Sequence, residues 1–525
     1  MRAVVLAMVL VACTGDDDDV AQPDPLAALP APTSATTTRF SDSAVCAQCH
    51  LAGDDKPDTL HDATGANVSP VLLWRNSLMA LAARDPYYLA VFAAEKKHGE
   101  PVTVDKLCTR CHAPAGSEER AETNAVLGFD DIASGSDAAA NLARDGVTCT
   151  ACHQIAAQDL GTDGSFNGGF DIGYDRQIFG PIANPNTAPM MLFVKYTPTY
   201  GTHVMQAELC GTCHTVIVGS IVEQGTYLEW RSSSFMANDT PCQSCHVSRN
   251  DTNGTPTTTL IANTGATNPR PIGRHGFVGG NTYIFQLFAD ALAWANPGIT
   301  ADDLAAAEAR DRAHLATAAQ VVVSGVSATG FTVQVVNKTG HKLPTGYPTR
   351  RMWLHVKATK GGATVYESGA TNARGEIVDA GGNVLAMQPH RDSVAAADEL
   401  QVWEAVMVDL QGNPTPRTLN AKHFSKDDRI LPTGFAPTSK DAARLESTGV
   451  INDATFLPGS DSITYTAAIP SGAAISIDLC FQSTRPDELD AIAKDPTPAG
   501  VRFTSLTDAR AIPVEILAHV DATVP

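Results

Sequence analysis

Cys149-Thr150-Ala151-Cys152-His153 decides how the first half of this chain is read, because its pattern returns four more times. The other copies are Cys46-Ala47-Gln48-Cys49-His50, Cys108-Thr109-Arg110-Cys111-His112, Cys210-Gly211-Thr212-Cys213-His214 and Cys242-Gln243-Ser244-Cys245-His246. The composition predicts roughly one hundredth of one such motif by chance. The chain has 12 cysteines; outside the motifs stand only Cys13 and Cys480, so no disulfide network is needed.

The order of residues carries the chemistry. Two thiols separated by two residues match the spacing of the two vinyl groups of haem, and the following histidine then lies beneath the iron as an axial ligand. Zinc is the main rival, but zinc knuckles pair to supply four ligands. Five motifs do not pair evenly, and zinc gives no reason for the immediate histidine. Exported dithiol redox motifs do not demand the histidine either. The expected cofactor is therefore haem c, five per chain, with His50, His112, His153, His214 and His246 as proximal iron ligands.

The motifs fall within residues 46–246, about forty residues for each, far below the hundred or more that usually build one core. The cofactors are expected to form much of that core, among short helices and loops. Helices are expected over 71–84, ahead of Asp85-Pro86, and over 87–97 and 207–213. Trp74-Arg75-Asn76-Ser77-Leu78-Met79-Ala80 is echoed by Trp230-Arg231-Ser232-Ser233-Ser234-Phe235-Met236-Ala237, a faint trace of duplication. A helix over 301–318 follows, with Thr300 as cap and Asp303 in the reciprocal capping position.

From about residue 320 the texture becomes alternating and β-branched, in 320–323, 331–335, 353–356, 401–406, 463–466, 475–479 and 514–517. Many short strands between Gly and Pro turns predict an antiparallel β-sandwich. The expected fold class is thus two-domain, helical and haem-packed and then β. Its parts are a signal peptide at 1–12, a lipidated cysteine and flexible linker at 13–45, a pentahaem domain at 46–295, a connecting helix at 296–319 and the sandwich at 320–525. In the strand 475–481, Cys480 alternates away from the large apolar residues and reads as a plain free thiol.

At the N-terminus, Arg2 precedes an apolar run, Ala3 to Ala12, too short to span a bilayer. Leu10-Val11-Ala12-Cys13 resembles a bacterial lipobox, which implies lipidation at Cys13; an ordinary signal peptide is the alternative. Asp16 to Asp19 and Pro23, Pro25, Pro30 and Pro32 then read as a solvated tether. The expected location is outside the cytoplasm, lipid-anchored in the periplasm or at the outer membrane or cell surface of a bacterium. The formal charge is -20, without a basic run. That argues against nucleic acid and anionic membrane surfaces, and for redox partners with a basic docking patch.

The distal ligands are less determined. Ten histidines lie outside the motifs. His203 precedes Cys210 closely, His275 lies in a Gly-flanked loop, and His341 in Gly340-His341-Lys342-Leu343-Pro344-Thr345-Gly346 could reach across from the β-domain. His61, His98 and Met79 are further candidates; for Met79 and Met236 core packing competes. His314, His355, His390, His423 and His519 read as structural or exposed.

Arg144-Asp145-Gly146-Val147-Thr148 leading into Cys149, Glu223-Gln224-Gly225-Thr226-Tyr227-Leu228-Glu229-Trp230, and the motif at Cys242 resemble bacterial multihaem c-type cytochromes related to the tetrahaem electron carriers of ammonia oxidisers and the hydroxylamine oxidoreductase group. Gly340 to Arg351 and Lys426-Asp427-Asp428-Arg429-Ile430-Leu431-Pro432 resemble the C-terminal half of longer members. The resemblance spans roughly 46–520. It implies closely stacked haems, each motif histidine proximal. It also implies a distal histidine after a Trp-x-x-Ser element, where this chain has Leu78 and Met79, or Phe235 and Met236. The function expected is electron transfer between membrane or periplasmic redox proteins, with no catalytic residue assigned. The alternative is an oxidoreductase acting on a small nitrogen or sulfur species at one open iron, with Arg350 and Arg351 near His341 available to an anion. An adhesive protein with incidental haems is a third reading.

Overall fold

The computed structural model describes residues 27–525 apart from Asp54, Pro57 and Thr252. The expected signal peptide, Cys13 and the first part of the tether lie outside the described residues. The stretch 27–45 does not behave as a tether. Leu29 and Phe40 are buried, as are Arg39, Ser41 and Asp42. Arg39 pairs with Glu118 and Glu122 and donates to the Ile172 carbonyl. Two large apolar side chains and a thrice-bonded guanidinium hold down a segment whose composition alone reads as solvated.

Residues 43–315 are mainly helical, in pieces mostly of one to three turns. Proline opens many of them, including Pro70–Arg75, Pro86–His98, Pro101–His112 and Pro114–Glu122. Its missing N–H costs nothing at that position and its φ suits a first turn. Asp85 and Glu100 cap two of these helices through their carboxylates. The helix expected over 71–84 is broken into Pro70–Arg75 and Leu78–Leu81 by the turn at Asn76-Ser77. Ala301–Leu315 starts at the expected Thr300 with the full Thr300/Asp303 capping box.

Two sheets follow. One has six strands. Its central path runs His423–Asp427, Val402–Val408, Arg351–Lys360, Ala474–Gln482, Glu515–Thr523, with Ala363–Ser368 added on Arg351–Lys360, and all its pairings are antiparallel. The other has four, in the order Ser393–Val394, Ser460–Tyr465, Gly330–Asn337, Ala319–Ser327. There the two-residue strand Ser393–Val394 runs parallel to its neighbour, a departure from the all-antiparallel expectation. Val333, Val335, Ile463 and Tyr465 of the smaller sheet meet Leu354, Val356, Ile477 and Leu479 of the larger in one buried core. Cys480 points to the opposite face, as its alternation predicts. That face is also covered, so Cys480 packs with Trp353, Ile377, Leu400 and Val402.

The two halves are not independent. Helices Pro486–Lys494 and Pro498–Ala509 leave the β-region and return to the helical one, where Leu489, Ile492 and Phe503 share a core with Leu89, Phe92, Phe285 and Phe288. No helix among the described residues is long and apolar enough to cross a membrane.

Candidate cofactor sites

Each motif lies on or at the end of a helical turn: in Ser43–His50, at the end of Pro101–His112, in Cys149–Cys152, after Ala207–Gly211 and in Gln243–His246. On such a turn residues three apart face the same way, so both thiols of a motif present to one side. The backbone N–H of the histidine donates to the carbonyl of the first cysteine in three motifs, at 2.9 Å for His153, 2.9 Å for His214 and 3.0 Å for His246. That bond fixes the imidazole one step beyond the thiols. Among the described residues no cysteine forms a disulfide, so all ten motif cysteines remain available to a cofactor.

The motif histidines are held as a metal ligand would be. Nδ1 of His50 meets the Ile261 carbonyl at 2.9 Å, that of His112 the Ala82 carbonyl at 3.2 Å, that of His153 the Phe179 carbonyl at 2.7 Å and that of His246 the Val278 carbonyl at 2.6 Å. A carbonyl accepts only from N–H, so Nδ1 carries the proton and the lone pair is left on Nε2. Burial lowers the pKa of all five motif imidazoles, to about 4 for His112 and His214, which keeps them neutral and able to ligate. His112 is further stacked under Tyr88, ring centres 3.8 Å apart.

Two of the expected distal residues stand opposite motif histidines. His275 faces His153 with ring centres 6.2 Å apart and planes 27° apart; His341 faces His246 at 6.4 Å and 24°. Two imidazoles on opposite sides of one metal, each bonded at about 2 Å, place their ring centres about 6.3 Å apart. Both distal candidates also hold Nδ1 on a backbone carbonyl, Gly273 for His275 and Lys342 for His341, each at 2.9 Å.

The remaining candidates divide. His203 is buried, but its Nε2 is taken by the Ile155 carbonyl at 2.9 Å. Its ring packs edge-on against Phe179, ring centres 4.8 Å apart. His98 is 40% exposed and paired with Asp495 at 2.6 Å, a surface ion pair rather than a ligand position. His61 donates Nδ1–H to the Thr59 carbonyl at 2.8 Å and has no ring contact with a motif histidine among those described. Met79 sits in the Leu78–Leu81 turn, its carbonyl taken by Val147 N–H. His314, read from sequence as structural or exposed, is half-buried, and its ring meets that of His246 edge-on with centres 5.1 Å apart. It lies beside the buried face of its helix, the stripe Leu304, Ala307, Asp311 and Leu315.

The loop bearing His341 is fixed from three directions. Asn337 donates to the carbonyls of His341, Ile430 and Leu431. Glu229, on the helix Thr226–Arg231, accepts from Lys342 N–H at 3.0 Å and the Thr345 hydroxyl at 2.5 Å. Lys342 is buried against Asp427 at 2.7 Å, which also holds Arg429 at 2.8 Å. Arg350 and Arg351 diverge. Arg350 reaches Asn281 at 3.1 Å and its charge acts on His214, whereas Arg351 stays on Gln482 and Gly375.

No family model matches the chain, and no curated protein sequence matches it. Among solved structures, a penta-heme cytochrome c552 from Thermochromatium tepidum matches 93% of this chain and 99% of its own, at 15% identity and a TM-score of 0.52. The chain therefore shares its overall fold with that penta-heme cytochrome.

Proposed function

We propose that the protein is a pentahaem c-type cytochrome that transfers electrons. The observation that carries this is the pairing of His153 with His275 and of His246 with His341 at a separation that fits one metal ion between each pair. Haem, when bound, supplies reversible one-electron chemistry at iron. The chain's own residues do the rest. The paired thiols of each motif would hold the group, the carbonyl-anchored imidazoles would present Nε2 to its iron, and burial would keep water out.

The motifs lie against one another. Thiols of Cys46 and Cys149 adjoin, as do those of Cys111 and Cys213, and of Cys210 and Cys242. Such contacts make the first motif a neighbour of the third, and the fourth a neighbour of the second and the fifth; Cys152 also acts electrostatically on Cys213, which links the third motif to the fourth and joins the two groups. In this reading the β-rich half is a sandwich that supplies His341. The chain is exported, with Cys13 as lipid anchor, and its negative charge suits basic redox partners.

Two facing histidine pairs, each able to close the coordination of one iron, would favour a carrier. The second reading, catalysis at one open iron, rests on His214: its Nδ1 has no described carbonyl anchor, and the buried Arg350 lies near it. Pyridine haemochrome analysis with intact mass should give five haems per chain, and low-temperature EPR of the oxidised protein should be dominated by low-spin signals. A mature, exported sample without added porphyrin mass overturns the proposal. A high-spin iron that binds carbon monoxide would favour the catalytic reading.

A further inference from the structure

His390 belongs to none of the sites above. It lies in the loop before Ser393–Val394, and its side chain is 4% exposed. Its Nδ1 meets Asp428 Oδ2 at 3.0 Å and its Nε2 meets Asp453 Oδ2 at 2.9 Å. Asp461 completes the group: one ligand atom from each of His390, Asp453 and Asp461 falls within 4.8 Å of the others. Asp428 and Asp453 are as buried as the histidine, with side chains 0% and 3% exposed, and Asp461 is 0% exposed.

We propose that His390 Nε2, Asp453 and Asp461 form a binding site for a divalent first-row cation such as zinc, with Asp428 as the positioning residue behind the imidazole. A metal-bound histidine almost always gives its other N–H to a carboxylate or carbonyl, which fixes the tautomer. Asp428 is built for that role. It also accepts from Gln401 Nε2 at 2.7 Å and Glu404 N–H at 2.8 Å, so it cannot swing away. Asp453 is fixed by Thr455 N–H and hydroxyl at 2.7 and 2.8 Å, and Asp461 by the Trp403 indole at 2.8 Å. One nitrogen and two carboxylates form a mixed donor set suited to zinc and its neighbours rather than to calcium.

Charge balance points the same way. The buried carboxylates here are Asp428, Asp453, Asp461 and Glu404. The cations touching them are Lys426, at 3.4 Å from both Asp428 and Glu404, and Arg485, at 3.6 Å from Glu404. Even a protonated His390 leaves one negative charge uncompensated in a place where unpaired charge is costly. Replacing the Nε2 proton by a dication closes the balance, and each cation taken up releases that proton. The site would tie Ser460–Tyr465 of the small sheet, through His390, to Asp428 beside the large one.

The test uses the full haem-loaded protein. After dialysis against a chelator, calorimetric titration with zinc alone should show one site per chain, release of about one proton per zinc, and a raised Tm. Asp461→Asn should abolish that site, and Asp428→Asn should keep it with affinity about 10–100-fold weaker, both with unchanged Soret spectra. If Asp461→Asn fails to fold, the Asp428→Asn affinity and the proton release decide. Absence of a zinc site in the parent protein, or a site indifferent to both substitutions or binding without proton release, would show that His390 is an imidazolium bridging two aspartates and overturn the proposal.

Discussion

The imidazole of His341, from a loop between the strands Gly330–Asn337 and Arg351–Lys360, faces that of His246 at the end of the helical turn Gln243–His246, ring centres 6.4 Å apart. The β-rich half therefore contributes a side chain to a candidate cofactor site whose thiols belong to the helical half.

If the proposed five haems are present, replacing His341 by alanine should open one of their irons without loss of covalent haem. The expected result is one high-spin EPR component and carbon monoxide binding to about one haem in five, with intact mass reduced only by the side chain. His275→Ala should do the same for the iron of His153. Unchanged low-spin spectra in both variants would contradict the pairing.

Asn337 is 1% exposed and clamps three carbonyls at the base of the His341 loop. Asn337→Ala leaves those acceptors buried and unpaired. Stability to denaturant should fall by about 1–3 kcal/mol, and the low-spin signal assigned to His246 should broaden as His341 loses its fixed position. Stability loss without that spectral change would separate the clamp from ligand positioning.

Trp74 donates its indole N–H to the Val147 carbonyl at 2.9 Å, and Trp230 donates to Thr240 at 2.8 Å. Each acceptor lies two residues before the first cysteine of a motif, Cys149 or Cys242. Ser77 and Ser233 each bond back to the tryptophan carbonyl, at 2.6 and 2.7 Å. The sequence echo is therefore a repeated device that pins the entry to a motif. Trp230→Phe should lower Tm, corresponding to about 1–3 kcal/mol, and reduce the yield of fully loaded protein. Equal yield and stability would reduce the echo to coincidence.

Asp427 is buried between Lys342 and Arg429, and their two positive charges hold its carboxyl well below the usual carboxylate range despite the opposing effect of burial. A carboxylate with a depressed folded-state pKa stabilises fully above its unfolded value, near 3.9, and that contribution is lost as pH falls toward the folded value. Thermal unfolding should therefore show this term complete above about pH 5 and shrinking below about pH 4. Asp427→Asn should remove that part of the acid limb and cost about 3–5 kcal/mol at neutral pH, because it strands two buried cations. An acid limb of the same slope in the variant would place the pH sensitivity elsewhere.

Much of this was legible in the residues themselves. The five motifs are local chemistry, complete within five residues. The strands at 320–323, 331–335 and 475–479 announce themselves by alternation and lie within Ala319–Ser327, Gly330–Asn337 and Ala474–Gln482. Thr300 and Asp303 fix the start of Ala301–Leu315 through hydrogen bonds that never leave the first turn. The short strands Ser393–Val394 and His423–Asp427 carry too few residues to show a period. The helices Pro486–Lys494 and Pro498–Ala509 escaped an expectation of continuous sheet.

The amino-acid order by itself determined which residues can hold a cofactor covalently, because thiol spacing and the adjacent imidazole are set by one turn of backbone. It also determined that a helical half precedes a β-rich one, because periodicity is a property of neighbours. Only the tertiary structure decided which histidine stands across from which. His203 is seven residues from Cys210 yet spends Nε2 on Ile155, while His341 is ninety-five residues from His246 and faces it. Position opposite a ligand is fixed by the packing of distant segments, here by Asn337, Glu229 and Asp427, and no local pattern records that.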